Sequence, residues 1–259
     1  MIQPKIKFVN ITKSFANSSG KEEVVVEDLN FEIYAEEFVC ILGPSGSGKS
    51  TILGLMAGFI KPTSGEVLFN SKPIKRPDSS RTLVFQEYAL FPWLNILDNV
   101  AFGLTTKNNN KNHSREKALE YLNLVGLSTY KSHSVSQLSG GMKQRVAIAR
   151  ALAVEPEVLL LDEPFGALDQ QTRENMQLEL LRLWTKTKKT VLFVTHSVDE
   201  ALKLGDRILV VGKKPGRILF DTAIGLSRPR DFSNSRLVNI RNQILEKLAE
   251  PDLFMGSDI

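Results

Sequence analysis

Apolar positions in the first third of the chain repeat with the period of strands. Residues 5–11, 24–33 and Phe38–Leu42 alternate or run continuously apolar, and 66–69 follows the turn-rich Pro62-Thr63-Ser64-Gly65. After Leu42 the period changes. Ile52, Leu55, Met56, Phe59 and Ile60 fall at helical spacing, and Pro62 is the expected stop. Farther on, 108–112 reads as an Asn-rich loop, Ser114 as the cap of a helix over 115–125, and Gly126 as its C-terminal stop. A helix over 141–154 follows, with Val146, Ala149, Leu152 and Ala153 on one face. Two short apolar runs, 158–161 and 191–195, flank a long helical segment, 170–188. Gly225 to Pro229 punctuates the end before a last helix over 235–248. Buried strands alternating with helices imply a mainly parallel sheet with helices on its faces, an α/β fold.

Composition narrows the class. The 259 residues suffice for one large domain or two small ones. A net charge of +4 is too small for the footprint of a nucleic-acid binder, and 42% hydrophobic with 24% charged residues excludes disorder and disulfide-stapled modules. The single cysteine, Cys40, lies in an apolar run and reads as a small buried hydrophobe in a reducing compartment. The opening segment has no secretory-leader pattern. No window approaches the roughly 18 apolar residues of a membrane-spanning helix, so a cytoplasmic or peripheral location is expected.

Three segments carry chemistry. Gly43-Pro44-Ser45-Gly46-Ser47-Gly48-Lys49-Ser50 lies between an apolar strand and a helix and fits the phosphate-loop pattern. Glycines let backbone N–H groups turn toward phosphate oxygens, and the helix start adds positive potential. Lys49 is then placed for the β/γ-phosphates, Ser50 for Mg²⁺, and Thr51 for a further phosphate contact. Val158-Leu159-Leu160-Leu161-Asp162-Glu163 ends a buried strand in two carboxylates, at the sheet edge where ligands bind. Two readings stand: Asp162 as metal ligand and Glu163 as the group that polarises water, or a helix cap and surface acidic pair. In Leu138-Ser139-Gly140-Gly141, serine and glycines open a helix either as a second anion site or as a plain cap by Ser139.

With GPSGSGKST at 43–51, Gln86, LSGGMKQR at 138–145, VLLLDEP at 158–164, GALD at 166–169 and THS at 195–197, the chain resembles the ATP-binding subunit of ABC transporters. The resemblance covers nearly the whole chain. It implies a P-loop cassette with a mainly parallel core, an antiparallel β subdomain and an inserted helical subdomain. The expected division is a nucleotide-binding core from 1–87 and 152–225, a helical subdomain at 88–151 and a helical tail at 226–259. The implied cofactors are ATP and Mg²⁺. Phe15 resembles the aromatic that stacks on adenine, although by itself it reads as core. Gln86 resembles the residue that senses Mg²⁺ and water, His196 the histidine that contacts the γ-phosphate, and Asp169 the loop aspartate at a dimer interface. Met142 departs from the glutamine common at that place.

Phe85 to Trp93, 95–100, Pro215-Gly216-Arg217-Ile218 and Arg228-Pro229-Arg230 resemble the nitrate/sulfonate/taurine importer branch. The implied partners are a second copy of the chain, integral-membrane permease subunits and, indirectly, an extracytoplasmic solute-binding protein, with the chain at the cytoplasmic face of the membrane. Phe91 and Trp93 are either permease contacts or subdomain core. The basic residues from Lys213 to Arg241 read as a lipid-facing surface or a solvated one. The alternatives are a soluble cassette acting on ribosomes or DNA, which usually has two cassettes or a coiled-coil insertion, and an exporter subunit.

Overall fold

The computed structural model describes residues 3–17, 20–105 and 110–249. Residues 108–109 of the expected Asn-rich loop and 250–259 of the expected tail lie outside them. The strands are β1 Ile6–Ala16, β2 Glu22–Ile33, β3 Phe38–Leu42, β4 Ser64–Phe69 and β5 Lys72–Pro73. They continue as β6 Arg81–Val84, β7 Val158–Asp162, β8 Thr190–Thr195, β9 Arg207–Val211 and β10 Ile218–Ala223. The helices are α1 Lys49–Ala57, α2 Ile96–Thr105, α3 Lys111–Leu124, α4 Gly140–Ala153, α5 Gln170–Thr187, α6 Val198–Leu204 and α7 Ser235–Ala249. Two compact units result, Met1–Pro77 with Leu192–Ile259, and Asp78–Val191.

In the first unit, an antiparallel sheet has the order β2-β1-β4-β5, and a second sheet runs β10-β9-β3-β8. β3 and β9 are parallel, while β10 returns antiparallel to β9. Alternation in β1 puts Ile6 and Phe8 inward, where Phe8 stacks on Phe31 at 4.4 Å between ring centres. β3 and β8 are buried along their whole length, as expected of strands covered on both faces. Cys40 is fully buried in β3, and burial raises its thiol pKa well above the ordinary value. α1 ends earlier than its apolar spacing suggests. Gly58 takes a left-handed conformation (φ 82°) and its N–H reaches back to Leu55 O, which closes the helix before Pro62 is reached. Phe59, expected on the helix face, is consequently exposed.

In the second unit β6 and β7 are parallel, and α2, α3 and α4 pack on one another, with α4 also against β6. α4 is buried nearly all round, at Val146, Ala147, Ile148, Ala149, Ala151, Leu152 and Ala153, more than a single face. Asn110, not Ser114, caps α3. Its side chain accepts from His113 N–H at 3.2 Å, and Ser114 is buried one turn in, donating to Asn110 O. Gly126 follows α3 at φ 70°, as a C-terminal stop requires. The basic residues after Lys213 are mostly engaged. Lys214 pairs with Glu23, Arg217 with Glu27, Arg228 with Asp206 and Arg241 with Asp199, while Arg230 donates to Leu202 O and Leu226 O.

Candidate functional site

The glycine loop leaves β3 and enters α1 through Gly46 (φ 80°) and Gly48 (φ 87°), conformations a side chain would resist. Gly48 is the N-cap of α1, and no side chain caps that end. Ser45, Gly46 and Ser50 are exposed around this helix start, Thr51 is half-buried, and Ser47 is buried with its hydroxyl unpartnered. Lys49 is 5% exposed and curls back, donating to Gly43 O at 2.9 Å and Pro44 O at 2.8 Å. A helix start without a side-chain cap, a cation and an unsatisfied hydroxyl suit a polyphosphate.

The segment Pro215-Gly216-Arg217 braces this loop from behind. Gly216 N–H donates to Val25 O at 2.8 Å, Gly216 O accepts from Glu27 N–H, and a Cβ on Gly216 would stand 2.1 Å from Ser47 O. The motif's spelling gave no hint of that role. In the same unit His196 is exposed at the end of β8. The buried Thr195 hydroxyl donates to Glu200 and accepts from Ser197 N–H, which knits the turn around it. Phe15 is 41% exposed on β1, with Lys13 Nζ 4.7 Å from its ring centre, so it is a surface platform and not core.

In the second unit, parallel β6 and β7 emerge at one edge in the register Val84↔Leu161. Gln86 follows β6, and Asp162 and Glu163 close β7, both half-buried. Gln86 Nε2 and Glu163 Oε2 flank the same small space, 3.7 and 3.9 Å from where a Cβ on Gly166 would stand. Glu163 has φ 41°, a left-handed conformation that costs a non-glycine residue about 1–2 kcal/mol. Such outliers cluster at active sites. Arg173, which sequence reasoning missed, fixes the following loop by donating to Phe165 O at 3.2 Å and Leu168 O at 2.9 Å. Asp169 caps α5, accepting from Thr172 N–H at 3.0 Å; these hydrogen bonds lower its pKa.

Ser139 caps α4, accepting from Met142 N–H at 3.3 Å, so the plain-cap role is realised. It also lines a polar cleft of about 320 Å³ with Gly141, Thr172 and Glu179. Gly140 is held by Tyr88, whose hydroxyl lies 3.0 Å from a Cβ placed there, and Gly141 by Thr172, at 2.8 Å. A side chain at either glycine would press on these neighbours. Trp93 is on the surface and Phe91 is half-buried. Trp93 is 75% exposed, 5.3 Å from Phe91, and Phe102 and Phe85 are exposed beside them in sequence or space. Buried Asn99 shapes this loop, accepting from Phe91 N–H and donating to Phe91 O, Leu94 O and Asn95 O.

Among the described residues no group of three or more His, Cys, Asp and Glu is arranged to hold a metal.

A glycine loop of this geometry after a buried strand, with a carboxylate pair ending another, defines a P-loop nucleoside triphosphatase. Residues 26–166 match the model of the ABC transporter family. The taurine import ATP-binding protein of Pseudomonas aeruginosa is 48% identical over 81% of this chain and 80% of its own. The nitrate import ATP-binding protein of Synechococcus elongatus is 42% identical over 94% and 91%. A dimeric ATP-binding cassette in a post-hydrolysis state with ADP and Pi matches 84% of this chain and 98% of its own, with 35% identity and a TM-score of 0.73. The chain belongs to the ABC transporter family, as an ATP-binding and ATP-hydrolysing subunit.

Proposed function

We propose that this chain powers an importer for a small anion or related solute of the nitrate, sulfonate, taurine or bicarbonate type. It works as a head-to-tail homodimer docked on membrane permease subunits, with an external solute-binding protein delivering cargo. The solute class rests on the relatives named for taurine and nitrate import. The observation that carries the ATP chemistry is the glycine-turned start of α1, which no side chain caps, with Lys49 folded back over it.

Lys49 and the loop amides bind the β- and γ-phosphates, Thr51 adds a phosphate contact, and Phe15 supports adenine on its exposed face. Mg²⁺, when bound, neutralises charge on the phosphates, and Ser50, Asp162 and Gln86 are the residues that would hold it. Glu163 accepts a proton from the attacking water, and Gln86, facing the same small space, orients that water. His196, exposed after β8, contacts the γ-phosphate. Across the dimer the second copy contributes Ser139, Gly140 and Gly141 to the phosphate and Asp169 to the interface. Hydrolysis removes the contacts that favour the closed dimer.

Among the described residues no helix is long and apolar enough to cross a membrane, and the proposed place is the cytoplasmic face, held by the permease. The exposed aromatics Phe85, Trp93 and Phe102, with half-buried Phe91 among them, form the docking surface, as an apolar patch of that kind suits a short permease helix. The test is affinity purification from detergent-solubilised native membranes, alongside ATPase assays of the isolated subunit. Wild-type protein recovers one polytopic permease, while Trp93→Glu loses it and keeps its isolated ATPase rate. Recovery of ribosomal or DNA-repair proteins in place of a permease overturns the transport reading and leaves the ATPase standing.

A further inference from the structure

The glutamine-loop segment after Gln86 is fastened to α4 at both ends of that helix. At its start, the Tyr88 hydroxyl sits over Gly140. At its last turn, Arg150 donates from Nη1 to Ala89 O at 2.8 Å and from Nη2 to Tyr88 O at 3.2 Å. The same guanidinium lies 5.4 Å from the centre of the Phe91 ring, which in turn touches Trp93 and Phe102. Ala89 takes a left-handed conformation (φ 47°), the kind of backbone that persists only where its surroundings hold it. Arg150 is half-buried, and burial lowers its pKa from the ordinary arginine value. A planar fork that satisfies two carbonyls and stacks on a ring is a geometry lysine cannot reproduce.

We propose that Arg150 is a positioning residue that clamps Tyr88, Ala89 and the Phe91–Trp93 surface to α4, so that a pull on the Ser139 end of α4 displaces the aromatic surface with it. This deepens the proposed function, since it rests on Ser139 being drawn toward the ATP of the second copy. Rigid packing of α4 in its subdomain keeps the helix a single lever. The clamp is what makes the loop follow.

Trp93 is itself the reporter. The second tryptophan, Trp184, is removed by Trp184→Phe, and hydrolysis is slowed by Glu163→Gln, in all proteins compared. The measurements are Trp93 emission, the sedimentation state and the binding of a fluorescent ATP analogue, each with ATP and Mg²⁺ or with ADP. The expected result is an ATP-dependent shift of Trp93 emission that is lost in Arg150→Met and not restored in Arg150→Lys. ATP affinity and dimer formation stay unchanged in both. An undiminished shift in Arg150→Met, or no shift in the reference protein while it binds ATP and dimerises, overturns the clamp alone. Failure to bind ATP or to dimerise overturns the functional reading instead. Should Arg150→Met fail to fold, Arg150→Lys carries the same test, because it keeps the charge and stem and loses the fork.

Discussion

Gly216 lies far from the glycine loop in sequence, yet a methyl added to it would press on the Ser47 carbonyl at 2.1 Å, well inside contact. The Gly216 backbone is pinned by hydrogen bonds to Val25 and Glu27, so the strain of Gly216→Ala must fall on the loop. Overpacking of this order costs about 1–3 kcal/mol. If that cost appears as distortion of the phosphate cradle, ATP affinity falls about tenfold or more, at about 1.4 kcal/mol per decade. Equilibrium binding of a fluorescent ATP analogue measures it. Unchanged affinity together with a lowered melting temperature would mean that the brace supports the fold and not the cradle. The buried, unpartnered Ser47 hydroxyl lies on the braced segment, so Ser47→Ala separates a lost contact from a displaced backbone.

Between elements, the joint of α2 and α3 is charged. Arg115 donates from Nε to Asp98 Oδ1 and from Nη2 to Oδ2, both at 2.8 Å, and Asn95 adds a bond to the same carboxylate. Hydrogen bonding to Arg115 lowers the Asp98 pKa, although desolvation opposes it. A carboxylate whose folded pKa lies below its unfolded value stabilises the fold at neutral pH. That stabilisation begins to fade near the ordinary aspartate value of 3.8 and is gone below the folded one. The pair is partly exposed, so solvent screens it to about 1 kcal/mol or less. Asp98→Asn should therefore melt lower than wild type at pH 7, with the gap closing below pH 3.8. A gap that persists undiminished in acid would assign the stabilisation to packing and not to charge. This joint is not legible in the sequence, because α2 itself is not: 95–100 figures there only in the resemblance to an importer branch. The same holds for β6 and α6, which are too short for a period to declare itself, and for β10, whose side chains alternate between half-buried and exposed with none in the core. Strands β3, β7 and β8 declared themselves as continuous apolar runs. Boundaries went wrong where local chemistry outranked pattern, at Gly58, which ends α1 early, and at Asn110, which starts α3 early. Of the site, the motif residues were readable, but their supports were not. Arg150, Arg173, Tyr88 and Gly216 act through backbone carbonyls or close approach, which no side-chain spelling encodes.

At the scale of the whole molecule, the proposed function gives this cassette two half-sites for one nucleotide, at the helix start after Gly48 and at the serine-capped one at Ser139. Each copy carries a net charge of +4, so pairing two copies brings like charges together unless anions intervene. ATP, with roughly four negative charges, supplies them at the interface and adds a phosphate that ADP lacks, and only differential contacts of that kind can shift the equilibrium. Glu163→Gln removes the proposed proton acceptor while leaving the proposed phosphate-binding groups in place, and loss of a general base typically lowers turnover by about 10²–10⁴-fold. In sedimentation, Glu163→Gln with ATP and Mg²⁺ should run as a dimer and return to monomer with ADP. Ser139→Arg made in the Glu163→Gln background should stay monomeric with ATP while still binding it through its own glycine loop. Mixing the two variants gives the decisive arrangement. A heterodimer keeps one intact pairing of glycine loop and Ser139 and breaks the other, so it should form with an affinity between the two homodimers. Equal dimerisation of Ser139→Arg and its parent would remove Ser139 from the interface and with it the head-to-tail arrangement.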